Sequence, residues 1–292
     1  MAVSPRSRPF AVCAVAYALA LAAAVACAVA MQGSHPLAVA LAADVVATVV
    51  VFGASRAFDN SSLYDPYWSA APLPIAAYFA AGAADGVPPA RQLLVIALVT
   101  AWALRLSWNW ARSWEGLHHE DWRYRDKRRE AGRLYWPVSF LGIHLMPTLL
   151  VFAGCLALYP ALATGTRPLG LLDLAAVIVT GAAIWLEATA DQQLLRFRQS
   201  CPPREAFLES GLWARCRHPN YLGEIGFWWG LYLFALAADP SAWWTGVGAV
   251  SITLLFRFVS LGLIDRRMLE RRPEYKRRLE STPALIPRWR DR

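Results

Sequence analysis

SGLWARCRHPNYLGEIGFWWGLYLFALAA, Ser210–Ala238, decides how this chain is read. Arg215, Arg217 and His218 crowd up to Pro219, and Tyr221–Ala238 is then apolar and rich in tryptophan. Proline suits the first turn of a helix, because its missing N–H would be unpaired there anyway. A helix opening at Pro219 would set free N–H groups and a positive dipole end beside two arginines, the makings of an anion site. Asn220 and Glu224 are four apart and share a helical face. Polar groups carried into a membrane-length apolar run are costly and usually functional. The stretch predicts a membrane helix whose first turn meets a charged ligand.

Working outward, the rest of the chain has the same character. Of 292 residues 57% are hydrophobic and only 17% charged, with 14 tryptophans, which excludes an ordinary soluble domain. Apolar runs of spanning length are Phe10–Met31, Pro36–Ala54, Leu93–Trp110, Val138–Tyr159, Leu169–Ala190, Tyr221–Ala238 and Trp243–Ile264. Ile75–Ala84 is a shorter eighth run. The expected fold is all-α: a polytopic transmembrane helical bundle of seven or eight spans, one integral-membrane domain over residues 1–292. The first run follows Arg6 and Arg8 and is read as an uncleaved first helix, not a signal peptide, because it is long and many helices follow.

Charge orients the bundle. If all eight runs cross, one side receives Arg6, Arg8, Arg56 and three basic segments. Arg112–Arg133 carries seven Lys and Arg, Arg196–Arg217 five, and the tail after Asp265 ten. The opposite connections hold almost none, Arg167 excepted. The positive-inside rule then places the basic segments and both termini in the cytoplasm, as expected in a bacterial inner membrane. The net charge of +8 is thus a topology signal, with some tail arginines facing anionic lipid. No nucleic-acid recognition motif accompanies it. The five cysteines are scattered, and the sequence holds no Rossmann or phosphate-loop glycine motif and no zinc-protease motif.

Three polar constellations sit at the basic ends of the runs. Glu187, Asp191 and Arg198, spaced four and seven apart, share a helical face on which carboxylates can accept from ribose or amide groups while the arginine holds phosphate. Arg105, Asn109 and Arg112 line another face, and Arg105 lies inside an apolar run, where a charge turns to the bundle interior. The adjacent His118–Asp121 group lacks a third spaced ligand, and no metal is expected. In Ser61–Pro74, Tyr64, Asp65, Tyr67 and Trp68 lie in a proline-punctuated stretch, where a phenol beside a carboxyl can donate to a substrate carbonyl or cap a turn. The basic amphipathic tail reads as a surface helix able to fold over a cofactor.

These residues carry a resemblance. DPYWS at Asp65, RLSWNWAR at Arg105, EDWRY at Glu120, ADQQLLRFR at Ala190, GLWARCRHPNYLGE at Gly211 and RPEYKRRLESTPALIP at Arg272 resemble a bacterial membrane family of uncharacterised proteins. That family is grouped with the steroid 5-alpha-reductase carboxy-terminal domain. The resemblance implies NADPH held in a cytoplasm-facing cavity and hydride delivery to an activated carbon–carbon double bond of a lipid or steroid-like substrate. It makes residues 137–292 the cofactor half and 1–136 the substrate side. By its pattern Asn220 and Glu224 contact the nicotinamide part, and Asp191 and Arg198 match the acid and arginine of the preceding helix. Glu187, Arg217, His218 and Tyr221 complete the cofactor set, Glu187 standing where those enzymes have asparagine. Steroid reductases hold the ketone with an early Glu and a later Tyr; here Asn109 stands near the tyrosine position and no early Glu matches. The acid role passes to Tyr67, Tyr64 or Asp65, Tyr67 leading, with Trp68, Arg105 and Arg112 on the substrate.

RHPxYxG is also similar to an element of isoprenylcysteine carboxyl methyltransferases, which implies S-adenosylmethionine as the alternative cofactor. A third reading is a non-enzymatic lipid-binding or transport protein. NYLGE and the Asp191–Arg198 face tilt the choice to the reductase.

Overall fold

The structure is a computed structural model that describes residues 7–288. Residues 1–6 and 289–292, Arg6 and both chain ends among them, lie outside the described residues. The architecture is all-helical, and among the described residues seven helical paths are long and apolar enough to cross a membrane. They are Arg8–Ala30, Pro36–Ala57, Pro89–Ser113, Trp122–Thr164, Leu171–Gln199, Pro219–Ala238 and Pro240–Arg271. Every confident apolar run falls on one of them.

The helices are α1 (Ser7–Ala30), α2 (Pro36–Ala57), α3 (Tyr67–Ala70), α4 (Pro72–Ala81), α5 (Pro89–Ser113) and α6 (Trp122–Ala131). Next come α7 (Tyr135–Ser139), α8 (Met146–Cys155), α9 (Leu171–Gln199), α10 (Pro219–Ala238), α11 (Gly246–Leu254), α12 (Leu261–Arg271) and α13 (Tyr275–Ser281). The short eighth run is α4, whose 10 residues rise only about 15 Å. With the turn Ser61–Tyr64 and α3 it nevertheless makes a broken passage along the bundle. Asn60 Nδ2 donates to the carbonyls of Leu117 and His119, at 2.7 and 3.0 Å, beyond the carboxy end of α5. The Ala84 N–H reaches the Ala163 carbonyl, at 2.8 Å, near the amino end of α5. Pro66, Pro72 and Pro74 break this path, and protein surrounds most of it: Leu63, Tyr64, Tyr67 and Phe79 are all buried. Irregular backbone is tolerated at membrane depth only under such cover.

At the end of the bundle away from the basic loops, α5 and α9 are tied by a buried bidentate pair. Arg91 Nε and Nη2 meet the two Asp173 oxygens at 2.7 and 3.0 Å, and Asp173 also accepts from Gly170 N–H at 2.9 Å, capping α9. Arg91 therefore joins Arg167 as a cation on this side. At the other end Phe10 packs edge-on against Trp110 and Trp114, and the tail carbonyls of Pro283 and Ala284 accept from the N–H groups of Arg217 and His218. The start of α1 and the tail thus lie at the same, basic end.

The core needs close packing, because lipid tails are as apolar as the side chains and burial alone drives little. Glycines supply it where α9 meets α10. A Cβ at Gly223 would lie 2.6 Å from Glu187 Cβ, and one at Gly230 would lie 2.1 Å from Thr180 Oγ1. Trp102 of α5 stacks on Phe227 at 4.4 Å and meets Trp228 edge-on, bringing α5 against the same pair. These approaches bring the polar faces of α5, α9 and α10 to one place.

Candidate functional site

Where α5, α9 and α10 meet, the side chains form a carboxylate cluster around one arginine. Arg105 Nη2 lies 2.7 Å from Glu187 Oε2, and its Nη1 lies 2.9 Å from Asp191 Oδ2. Asn109 Nδ2 donates to the same Asp191 oxygen at 3.1 Å, and Asn220 Nδ2 reaches Asp191 Oδ1 at 3.4 Å. Glu224, fully enclosed, accepts from two indoles: Trp102 at 3.0 Å and Trp228 at 2.8 Å. Buried charges persist only when paired or hydrogen-bonded, and each carboxylate here has such partners.

The cluster floors a cavity of about 640 Å³, within the roughly 300–1,000 Å³ of small-molecule sites. Its polar lining includes Glu187, Asp191, Asn220, Tyr221 and Glu224 together with Tyr64, Asp65 and Asn109. Trp68, Met146, Leu150, Val151 and Ile252 supply apolar wall, and Arg123 and Lys127 stand at the loop end. Residues from the first and second halves of the sequence therefore share one cavity. Asp65 Oδ1 accepts from Tyr124 Oη at 2.6 Å. Tyr64 donates to or accepts from Thr148 Oγ1 at 2.8 Å.

The loop before α6 holds this wall in place. Glu120 Oε1 accepts from the Ser61 N–H at 2.9 Å, and Ser62 Oγ accepts from the Asp121 N–H at 2.9 Å. Asp121 caps α6 through the Arg123 N–H at 2.8 Å. Burial pushes the Asp121 carboxyl up, but the Arg123 guanidinium outweighs it and holds the group below the ordinary carboxylate range. The His118–Asp121 group thus positions the Tyr64–Asp65 segment.

Other sequence candidates stand elsewhere. Tyr67 turns away from the large cavity and donates to Asp44 Oδ1 at 2.9 Å. Arg105 and Arg112 do not line the cavity: the first clamps carboxylates, and the second donates to Gln192 Oε1 and Asn109 Oδ1, both at 2.9 Å. Arg198 is exposed at the end of α9. Arg217 and His218, placed at the mouth of α10 as anion ligands, turn to the tail. Arg217 Nη2 meets Asp265 Oδ2 at 2.8 Å and its Nη1 donates to the Thr282 carbonyl. His218 Nε2 meets Asp265 Oδ1 at 3.0 Å, and Tyr275 donates to the same oxygen at 3.2 Å. The tail folds onto the start of α10 and takes up that charge itself.

Among the residues that the sequence reading passed over are Tyr124 and Trp228, which line the cavity, and Trp102, which lies behind Glu224. Tyr124 was within reach through the EDWRY motif, but its partner lies 59 residues away. Trp102 and Trp228 looked like ordinary apolar-run residues, and only the enclosed Glu224 between them shows their use as donors.

The fold and cavity define a class: a polytopic helical membrane protein with a polar-floored cavity inside the bundle. Within that class the chain belongs to DUF1295, a family described as "Protein of unknown function", whose model matches residues 51–282. That match spans every residue lining the large cavity. The chain is also similar to an uncharacterized protein of Schizosaccharomyces pombe, 25% identical over 279 residues, covering 87% of this chain and 80% of the relative. No solved structure matches.

Proposed function

We propose that this protein is a membrane NADPH-dependent reductase acting on an enone-like lipid or steroid-like substrate, as the resemblance to the steroid 5-alpha-reductase carboxy-terminal domain suggests. The observation that carries the reading is the shared cavity, in which the Asp191, Asn220 and Glu224 cluster faces Tyr64 and Asp65. The polar lining fits the carboxamide end of a nicotinamide. Asn220 Oδ1 and the indole N–H groups of Trp110 and Trp114 are buried on cavity-lining residues and have no partners among the described residues. One carboxamide offers a donor to the first and an acceptor to the others. Arg123 and Lys127 are the cations at the loop end able to meet phosphate. Held by these residues, NADPH would be the hydride source for the β-carbon of the substrate.

The chain's own residues supply the rest. Tyr124 donates to Asp65 Oδ1 and orients the carboxyl. Asp65 holds a proton at Oδ2, donates it to the substrate carbonyl oxygen as negative charge grows there, and so acts as general acid. Asn109 Nδ2 and Tyr64 Oη add polarity on the same wall. Met146, Leu150, Val151 and Ile252 exclude water from the charge that develops. The basic end facing the cytoplasm, in a bacterial inner membrane, gives the cofactor access from the side where it is made.

One observation favours a second reading. Glu187, Asp191 and Glu224 outnumber the single clamping Arg105, and a negative floor suits the cationic sulfonium of S-adenosylmethionine. The methyltransferase and a non-catalytic lipid carrier are therefore competing outcomes of one experiment. Purified protein is incubated with a panel of lipids, enones among them, and either NADPH or S-adenosylmethionine, and NADPH oxidation, saturated product, methylated product and retained lipid are followed together. The reductase reading expects both, with turnover lowered about 10²–10⁴-fold in Asp65→Asn, the usual worth of a positioned acid. Tyr124→Phe should fall in the same direction, and Asp65→Asn with Tyr124→Phe should cost less than the two singly, because they act as one unit. Methyl transfer from S-adenosylmethionine, or retained lipid without turnover, rejects the proposal.

A further inference from the structure

We propose that a second cavity, between α1, α2 and the α3–α4 segment, binds a membrane lipid that carries one hydroxyl on an otherwise apolar skeleton. The cavity measures about 270 Å³ and shares no lining residue with the larger one. Its walls are almost wholly apolar: alanines of α1 and α2, Val39, Pro74 and Ile75. At its side stands one carboxyl, Asp44, 5% exposed. Asp44 Oδ1 accepts from Tyr67 at 2.9 Å, whereas Oδ2 is buried without a partner among the described residues. An unpaired polar oxygen at membrane depth is strongly unfavourable. A ligand that brings one hydrogen-bonding group removes that cost.

Chemistry narrows the class. A hydroxyl both donates and accepts, so it pairs with Oδ2 whether the carboxyl is ionised or protonated. A fatty acid would set two carboxyls against each other, and an ammonium would bring three donors to a site whose free buried acceptor is one oxygen. The Tyr17 hydroxyl donates to the Leu63 carbonyl at 2.8 Å, so the buried polar atom of the lining that lacks a partner among the described residues is Asp44 Oδ2. The rim points to where the ligand comes from. Leu21 and Val25 of α1, 50% and 55% exposed, stand at the mouth on the apolar outer face of the bundle. The volume holds the hydroxyl end and the leading part of the skeleton, and the remainder extends past this rim among lipid chains. Asp44 also connects inward: Tyr67 Oη receives Thr48 Oγ1 at 3.5 Å, and Thr48 meets Thr148, the partner of Tyr64, at 2.9 Å. The proposal stands apart from the reductase reading, since it concerns a different cavity.

The test is photolabelling of the full chain in detergent with a diazirine-bearing long-chain alcohol, against its methyl ether as control. The alcohol should label α1 or α2 saturably, and excess unlabelled parent alcohol should compete. Asp44→Leu should lower labelling roughly tenfold or more, the loss of a hydrogen bond to a charged acceptor. Ala24→Phe fills the cavity and leaves Asp44 in place, so it should abolish labelling in a protein whose thermal unfolding shows it folded. This second variant decides the matter if Asp44→Leu does not fold. Equal labelling by the alcohol and the ether, labelling that excess parent alcohol does not compete, or unchanged labelling in Ala24→Phe would overturn the proposal.

Discussion

At the scale of single residues, the decisive feature is that the acids of the large cavity are already engaged. Glu224 sits between two indole N–H groups, and Arg105 grips Glu187 and Asp191, with side-chain exposures of 14%, 7% and 10% respectively. Such a clamp is a poor candidate for substrate binding and a good one for holding geometry. Arg105→Met should destabilise the protein by about 3–5 kcal/mol, because it strands two buried carboxylates. Adding Glu187→Gln should recover part of that loss, which thermal unfolding of the three proteins would show; no recovery would mean the carboxylates do not depend on this pair. The acids were legible from their spacing of four. Arg105 was misjudged because its partners lie more than 80 residues away, and no periodicity reports a cross-helix pair. Tyr67 was misjudged for a related reason: proximity to Asp65 in sequence suggested a joint site, but α3 turns its phenol to Asp44 on α2. Asp121 gives a further handle. Its folded pKa is depressed, so its contribution to stability is present above the unfolded value near about 3.9 and is lost as pH falls through the folded value.

At the scale of elements, the site depends on how closely α10 approaches α9. Gly223 has no room for a Cβ against Glu187, whereas Gly53 of α2 has nothing within 4 Å. Gly223→Ala should therefore cost about 1–3 kcal/mol through overpacking and displace Asn220 from Asp191. Gly53→Ala should be neutral or stabilise by up to about 1 kcal/mol, through helix propensity. Equal melting temperatures for the two variants would show that the α9–α10 contact does not limit stability. The long helices were readable because an apolar run of about 20 residues in this setting has one stable solution. The Ser61–Ala81 passage was not, since three prolines divide it and its cover comes from α2, α5 and the loop before α6. Nor was the tail's placement legible: the basic residues that looked like an anion site at Pro219 instead answer Asp265 and the tail carbonyls.

At the scale of the whole molecule, the charge pattern and the path of the chain agree on one basic end that collects the start of α1, the loops and the tail. Single cysteines at positions 128 and 277, in a chain freed of its native cysteines including exposed Cys201, should be shielded from an impermeant thiol reagent in intact cells and react once the membrane is opened. Labelling of either from outside would reverse the orientation and remove the cofactor's route. The central claim is that the large cavity holds a nicotinamide cofactor, and equilibrium binding of NADPH to the purified protein in detergent tests it most directly. The account predicts saturable binding, weakened roughly tenfold or more in Asn220→Ala, little changed in Arg198→Ala, and not displaced by S-adenosylmethionine. Absence of saturable NADPH binding, or tight S-adenosylmethionine binding in its place, would contradict it.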